Sequence, residues 1–245
     1  MAEVDAHILL ADISGYTRFL KENTVTLSHA TQIVTDLLEA VMDGAEKPVH
    51  PNKVEGDAVL FVAPEDKPGQ ASDAAWASIQ NFFSAFYRRR AELQAANTCP
   101  CEACTRIDEL NLKVISHHGR LLRHKVSRFE EVSGFDLVIA HRLLKNQVEG
   151  SRYVLSTEAA WDHYPTEDGL EVQRHEEECE GVGMVPVVVL RDAPDKLSAS
   201  PSPCSCGLIG KLADWARKHV VLIPGLGPLL LGRKHLAQRC SLHSH

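Results

Sequence analysis

Long hydrophobic runs are absent from this chain of 245 residues. The longest uncharged apolar run, residues 220–232, is interrupted by prolines and glycines, and it is shorter than the roughly 20 residues of a membrane-spanning helix. The first five residues are acidic where a secretory signal is basic. The sequence also lacks a P-loop, a dinucleotide-binding fingerprint and a Gly-x-Ser-x-Gly motif. We therefore expect a reduced, cytoplasmic protein outside the enzyme classes built on those motifs.

Negative charge exceeds positive charge outside the C-terminal part of the chain. The net charge is −7, which argues against binding nucleic acid through its phosphates. Residues 204–245 carry +5, so the remainder carries −12. We predict a folded domain at 1–195, a Ser/Pro-rich linker at 196–203 and a basic, apolar tail at 204–245. The alternatives for the tail are packing on the acidic domain, which we favour, and contact with an anionic membrane surface.

The apolar periodicity predicts strands that alternate with helices. Their order, β-α-β-β-α-β with further elements behind it, indicates an α+β, ferredoxin-like (split βαβ) fold. We expect an antiparallel sheet with its helices on one face. The predicted strands are residues 7–12, two within 52–62, a pair at 110–117 and 121–127 turning at Gly119, 153–156, 170–173 and 184–190; the main predicted helices are 29–42, 70–94 and 135–146.

Two acidic residues follow buried strands at turn positions. Asp12 ends the first strand, and Asp57 lies in the hairpin turn after Glu55-Gly56. In a split βαβ topology these positions can converge, and paired carboxylates repel unless a cation lies between them. Oxygen ligands of this kind suit Mg²⁺ or Mn²⁺ carrying a substrate phosphate. The alternative is that both acids only cap turns.

The segment that follows Asp12 is Ile13, Ser14, Gly15, Tyr16 and Thr17. It leads into a predicted helix, so its backbone N–H groups can face a phosphate. We expect these residues to contact a bound nucleotide.

Four motifs together resemble the catalytic domains of class III nucleotidyl cyclases. They are residues 11–17 (ADISGYT), 53–59 (KVEGDAV), 114–119 (VISHHG) and the glycine-led helix within 133–143. Order and spacing agree over residues 7–190. Residues 134–146 and the Cys-x-Cys-x-x-Cys insert resemble an uncharacterised bacterial branch of that superfamily more than they resemble any proven cyclase.

The resemblance implies a role for each matching residue. Asp12, Asp57 and the carbonyl of Ile13 would hold Mg²⁺ or Mn²⁺. Lys53 matches the adenine-contacting position of adenylyl cyclases, and Glu131 falls at the second base-reading position. Arg142 matches the arginine that neutralises charge as the ribose 3′-oxygen attacks the α-phosphate of ATP. The resemblance also implies a head-to-tail homodimer, in which Lys53 and Arg142 of one chain face the carboxylates of the other.

Two positions depart from the family pattern. Val138 stands where the family has a ribose-orienting Asn, and Val182 lies near the position of a phosphate-binding Lys. Each lost contact typically costs about 10²–10³ in rate. We therefore favour a degenerate adenylyl cyclase that senses a nucleotide. The alternatives are an active adenylyl cyclase that forms cyclic AMP, and a metal- or redox-responsive regulatory protein.

A cysteine-rich insert separates the second long helix from the next strand. Cys99, Cys101 and Cys104 have a spacing typical of zinc ligands, so the segment predicts one thiophilic metal ion. The alternative is three reduced surface thiols. No fourth ligand is present locally. The candidates are His117, His118, His124, Cys179 and the tail cysteines, of which Cys204 and Cys206 are favoured by residue type.

Overall fold

The computed structural model describes residues 2–23, 27–65, 67, 69–165 and 170–191, so the predicted linker and tail lie outside the described residues. The elements in chain order are β1 (Ala2–Ser14), α1 (Tyr16–Glu22), α2 (Leu27–Asp43), β2 (His50–Glu55), β3 (Ala58–Pro64), α3 (Gln70–Ala96), α4 (Glu102–Thr105), a 3₁₀ turn (Ile107–Glu109), β4 (Asn111–Val126), β5 (Phe129–Ser133), α5 (Phe135–Leu143), β6 (Tyr153–Thr157), α6 (Glu158–Trp161), β7 (Gln173–Cys179) and β8 (Gly183–Leu190).

The strands form an eight-stranded sheet in the order β2-β3-β1-β4-β6-β8-β7, with β5 paired to β4. Strand β1 is antiparallel to β3 on one side and to β4 on the other. The expectation of an antiparallel sheet was wrong at one pair, because β4 and β6 are parallel. The first four strands in this order reproduce the split βαβ arrangement, so the predicted α+β, ferredoxin-like fold is confirmed. None of the helices in the described ranges is both long enough and apolar enough to cross a membrane.

Helices cover both faces of the sheet, so the expectation of helices on one face was wrong. Alternate residues of β1 contribute to two separate apolar clusters, as the pleat of a strand requires. Leu9 and Ala11 pack with the residues of α2 and α3. Leu10 packs on the opposite face with Ala140 and Leu143 of α5. A continuous apolar sequence in β1 is the consequence of burial on both sides.

The predicted strand pair around Gly119 is in fact one strand, β4, and its hairpin partner is β5. Gly119 makes no turn. A Cβ atom there would lie 2.2 Å from the carboxyl carbon of Asp136, so the glycine leaves room for that side chain. The chain turns instead beyond Val126, where Ser127 has φ 57°. The strand predicted near residues 170–173 also begins later, at Gln173.

Asp136 attaches the first turn of α5 to β4. Its carboxylate accepts a hydrogen bond from the Arg120 N–H at 2.8 Å and lies 3.0 Å from His117 Nε2. Gly134 is needed beside this contact, because a Cβ atom there would lie 2.8 Å from the carbonyl oxygen of Arg120. Two of the motif segments therefore meet directly, and their contact determines where α5 lies on the sheet.

His7 occupies an unusual position near the start of β1. It is 0% exposed, and within the described residues neither of its ring nitrogens has a hydrogen-bond partner. Its ring stacks on Tyr164 and lies 4.7 Å from the ring of His118. Burial, and then the neighbouring His118, His163 and His117, lower the pKa of His7 to about 3. The folded protein therefore keeps this imidazole neutral under conditions that would protonate it in an unfolded chain.

We expect acid to destabilise the fold through His7. Between about pH 6.5 and about pH 3 the unfolded chain binds a proton at this residue and the folded chain does not, so stability falls as pH falls through this range. One proton corresponds to at most about 1.4 kcal/mol per pH unit. The urea midpoint of His7→Phe, which keeps a ring against Tyr164, should depend less on pH than that of the wild type. Equal dependence in the two proteins would contradict this interpretation.

Candidate functional site

Asp12 and Asp57 converge at one end of β1. Asp12 pairs across the sheet with Ala58 on β3, and the backbone N–H of Ile13 donates to the carbonyl oxygen of Asp57 at 3.0 Å. This bond holds the β2–β3 turn against the end of β1. Burial, and then the negative charge of Asp12, raise the pKa of Asp57. The two carboxylates are thus close enough to repel each other.

Lys113 is a site residue that the sequence interpretation missed. It lies opposite Asp12 on β4. Its ammonium nitrogen is 3.0 Å from Asp12 Oδ2 and donates to the carbonyl oxygen of Leu144 at 3.1 Å. The feature that could have identified Lys113 in the sequence is a single charged residue between the apolar residues of a buried strand. This cation offsets part of the negative charge, although Asp57 still has a raised pKa.

Residues 14–17 follow directly from this position. Ser14 ends β1, and Gly15 has φ 90°, a left-handed conformation that favours glycine. A Cβ atom on Gly15 would also lie 3.0 Å from the carbonyl oxygen of Glu109. Tyr16 is half-buried against the core and Thr17 is exposed. The short segment therefore turns tightly beside Asp12.

The other predicted nucleotide contacts lie on separate elements. Lys53 is exposed on β2, and Glu131 pairs with His124 in the β4–β5 hairpin. Arg142 lies near the end of α5, where its guanidinium is 3.1 Å from Glu180 Oε2. Within the described residues, none of these three has a hydrogen bond or ion pair to either carboxylate. One chain brings together Asp12, Asp57 and residues 14–17, but not these side chains.

The two departures from the family pattern are visible in the structure. Val138 lies on α5 one turn before Arg142 and is 45% exposed. Val182 lies in the turn between β7 and β8, where it packs against the apolar cluster under α5. Neither side chain can donate or accept a hydrogen bond. The two positions at which the resemblance implies polar side chains therefore carry apolar ones.

A second contact, also missed from the sequence, links α5 to the hairpin that carries Asp57. His141 Nε2 lies 2.9 Å from Glu55 Oε2. His141 is adjacent to Arg142, and Glu55 is two residues before Asp57. The contact therefore connects the element that bears the arginine to the turn that bears the carboxylate.

The three cysteines of the insert meet a histidine of α2. His29 Nδ1 lies 3.4 Å from Cys101 Sγ and 3.7 Å from the Sγ atoms of Cys99 and Cys104. All four donor atoms lie within 4.8 Å of one another. His29 was not among the candidates for a fourth ligand. Those within the described residues lie elsewhere: His117, His118 and His124 on β4, and Cys179 at the end of β7.

Solved structures with a similar fold identify the class of domain to which this architecture corresponds. The guanylate cyclase domain of RhGC from Catenaria anguillulae, in complex with GTP, is 13% identical, with a TM-score of 0.56 over 78% of this chain and 98% of that one. The adenylyl cyclase CyaB from P. aeruginosa is 15% identical, with a TM-score of 0.60 over 77% of this chain and 94% of that one. The chain thus has the fold of class III adenylyl and guanylyl cyclase catalytic domains, and the predicted resemblance is confirmed at that level.

The matching family model and the matching relative carry no assigned activity. Residues 34–153 match the family described as "Protein of unknown function (DUF2652)". The uncharacterized protein Rv2561/Rv2562 of Mycobacterium tuberculosis is 34% identical over 125 residues. The match covers 51% of this chain and only 57% of the length of that relative. The family match includes Asp57 and the cysteine segment, and it begins after Asp12.

Replacing Asp57 with Asn should stabilise the fold. The raised pKa means that ionised Asp57 costs stability at neutral pH, and Asn removes the charge while keeping a side chain suited to turns. We expect the Tm to rise by roughly 1–3 °C. Asp5→Asn is the matched control, because Asp5 is exposed near the other end of β1. A Tm for Asp57→Asn at or below that of the control would contradict the interpretation.

Proposed function

We propose that this domain is a cyclase-derived sensor that binds a nucleoside triphosphate, with ATP as the expected ligand, through Mg²⁺ or Mn²⁺. The observation that carries the proposal is the convergence of Asp12 and Asp57 beside the tight turn at Gly15. A partly buried carboxylate whose pKa is raised, as that of Asp57 is, is a kind of group found often at functional sites. The similarity to a domain in complex with GTP supports the same class of ligand.

The residues present fit a divalent cation. Hard oxygen donors are available from Asp12, Asp57 and the Ile13 carbonyl, which is the donor type that Mg²⁺ and Mn²⁺ prefer. Burial, and then the negative charge of Asp12, raise the pKa of Asp57 more than the positive charge of Lys113 lowers it. A bound cation would neutralise the carboxylates and the triphosphate together. The chain's own part is to hold both carboxylates at the end of β1 and to present the backbone of residues 14–17.

A second copy of the chain would complete the site. Within the part of the chain that the structure describes, Lys53, Glu131 and Arg142 have no hydrogen bond or ion pair to either carboxylate, so a head-to-tail homodimer is the arrangement that would let them reach the nucleotide. Exposed apolar side chains beside these residues support such an interface. Phe129 on β5 is 57% exposed, and Phe135 at the start of α5 is 62% exposed.

The sensor is favoured over the active enzyme by the surroundings of Arg142. Val138 supplies no hydrogen bond to a ribose, and Val182 supplies no charge to a phosphate. Arg142 is also ion-paired with Glu180, so a nucleotide has to compete for its guanidinium. Since each missing contact typically costs about 10²–10³ in rate, two losses leave binding with little turnover.

Nucleotide binding should require a divalent cation and the carboxylate pair. Calorimetry with ATP should give heat in Mn²⁺ or Mg²⁺ and none in excess chelator. Asp57→Asn should weaken binding by at least about tenfold, the equivalent of one lost charged contact. Asp5→Asn should bind as the wild type does, and ATP should bind more tightly than GTP.

Two results would defeat this proposal. One is nucleotide binding that does not depend on the metal. The other is absence of metal-dependent binding by a folded wild-type protein, which would leave the cyclase fold as evidence of ancestry only.

Val138→Asn separates the sensor from a weakened enzyme. If the fold keeps the active geometry, an Asn at this position should raise formation of cyclic nucleotide by an order of magnitude or more. Val138→Leu is the control, because it changes the same exposed position without adding an amide. Product formation by purified protein with Mn²⁺ and ATP is the measurement. Binding without turnover in all three proteins supports the sensor, whereas rapid turnover by the wild type would show an active cyclase.

A further inference from the structure

The cysteine segment is held in a defined shape by its own backbone. The Cys101 carbonyl accepts hydrogen bonds from the Cys104 and Thr105 N–H groups as α4 begins. The side chain of Asn97, at the end of α3, accepts from the Cys99 N–H at 2.9 Å and donates to the Cys104 carbonyl at 3.1 Å. These bonds turn all three thiols toward the same point. The geometry is not that of a loosely exposed loop, since Cys104 is only 2% exposed.

His29 reaches the same point from a different element. It lies in the first turn of α2, 70 residues before Cys99 in sequence. One nitrogen, Nδ1, is close to all three sulfur atoms. A histidine that formed an ordinary hydrogen bond would need to approach only one of them.

The distances match tetrahedral coordination. With Zn–S bonds of about 2.3 Å and Zn–N bonds of about 2.0–2.1 Å, tetrahedral angles place the nitrogen about 3.5 Å from each sulfur. The three observed N···S distances are 3.4, 3.7 and 3.7 Å. Three thiolates and one imidazole are also a set that soft or borderline metals prefer.

We propose that His29, Cys99, Cys101 and Cys104 form a Cys₃His zinc site that joins α2 to the segment between α3 and β4. Four protein ligands fill the tetrahedron, so the site is structural and leaves no position for a substrate. The ion would fix α4, whose Ala103 is fully buried, against α2. The argument for this zinc site does not rest on the carboxylate pair or on the proposed nucleotide binding.

The segment between α3 and β4 is also linked to the turn at Gly15. Arg106, directly after α4, is 2.6 Å from Glu22 of α1 and donates to Glu109. The Glu109 carbonyl is the atom that lies against Gly15. Removing the zinc should therefore loosen the α1 side of the core as well as α4.

Elemental analysis of the full chain, purified without a His tag, tests the assignment. We expect about one zinc per chain in the wild type and less than about a tenth of that in Cys104→Ser and His29→Ala. Cys179→Ser is the matched cysteine control and should keep its zinc. His163→Ala is the histidine control. His163 belongs to a separate group of described histidines whose ring nitrogens lie close together, His7, His118 and His163.

A spectroscopic readout keeps the test valid if the ligand variants fold poorly. Wild-type protein reconstituted with Co²⁺ should show intense thiolate-to-cobalt charge transfer and the visible bands of a tetrahedral ion. Removal of the zinc by a chelator should lower the wild-type Tm by roughly 5 °C or more, and zinc should restore it.

Wild-type protein that holds no zinc, iron or copper above the Cys104→Ser level would overturn the proposal. So would metal that is lost in His163→Ala but retained in Cys104→Ser.

Discussion

The pairing of β1 with β3 on one side and β4 on the other is the constraint on which the rest of the structure depends. A central strand with both edges hydrogen-bonded cannot slip by one residue without turning every side chain to the opposite face. The register that results places Asp12 level with Ala58 and Lys113. The bond from Ile13 to Asp57 then closes the β2–β3 turn onto the same point. The carboxylate pair is therefore a product of sheet register and does not depend on flexible loops.

The charge balance at this point is incomplete within one chain. Among the described residues, Asp12 and Asp57 lie beside a single ammonium group, that of Lys113, and burial makes the remaining negative charge costly. Carboxylates with a pKa raised in this way are common at functional sites. Arg142 and Lys53 could supply positive charge, yet Arg142 contacts Glu180 and Lys53 is exposed on β2. A cation, a nucleotide and a second chain would together complete the balance that the single chain leaves open.

The fold class could be predicted from the sequence because apolar periodicity and turn residues are local features that recur along the chain. The order of strands and helices and the positions of Asp12 and Asp57 follow from apolar periodicity and turn residues. Gly119 misled the prediction, since a glycine that makes room for the Asp136 carboxylate looks the same in sequence as one that makes a turn. Lys113 was overlooked because a single lysine in a strand carries no information about its partner. His29 was not predictable, because only the packing of α2 beside the end of α3 brings it to the cysteines.

A carboxyl-selective NMR titration of Asp57 tests the central claim most directly. We expect the pKa of Asp57 to be raised from its ordinary value in the free protein, because this residue is buried beside Asp12. Adding Mg²⁺ and a non-hydrolysable ATP analogue should move this titration to lower pH, since the cation favours the ionised form. An Asp57 that titrates at the ordinary value, and whose titration is unaffected by Mg²⁺ and nucleotide, would contradict the account.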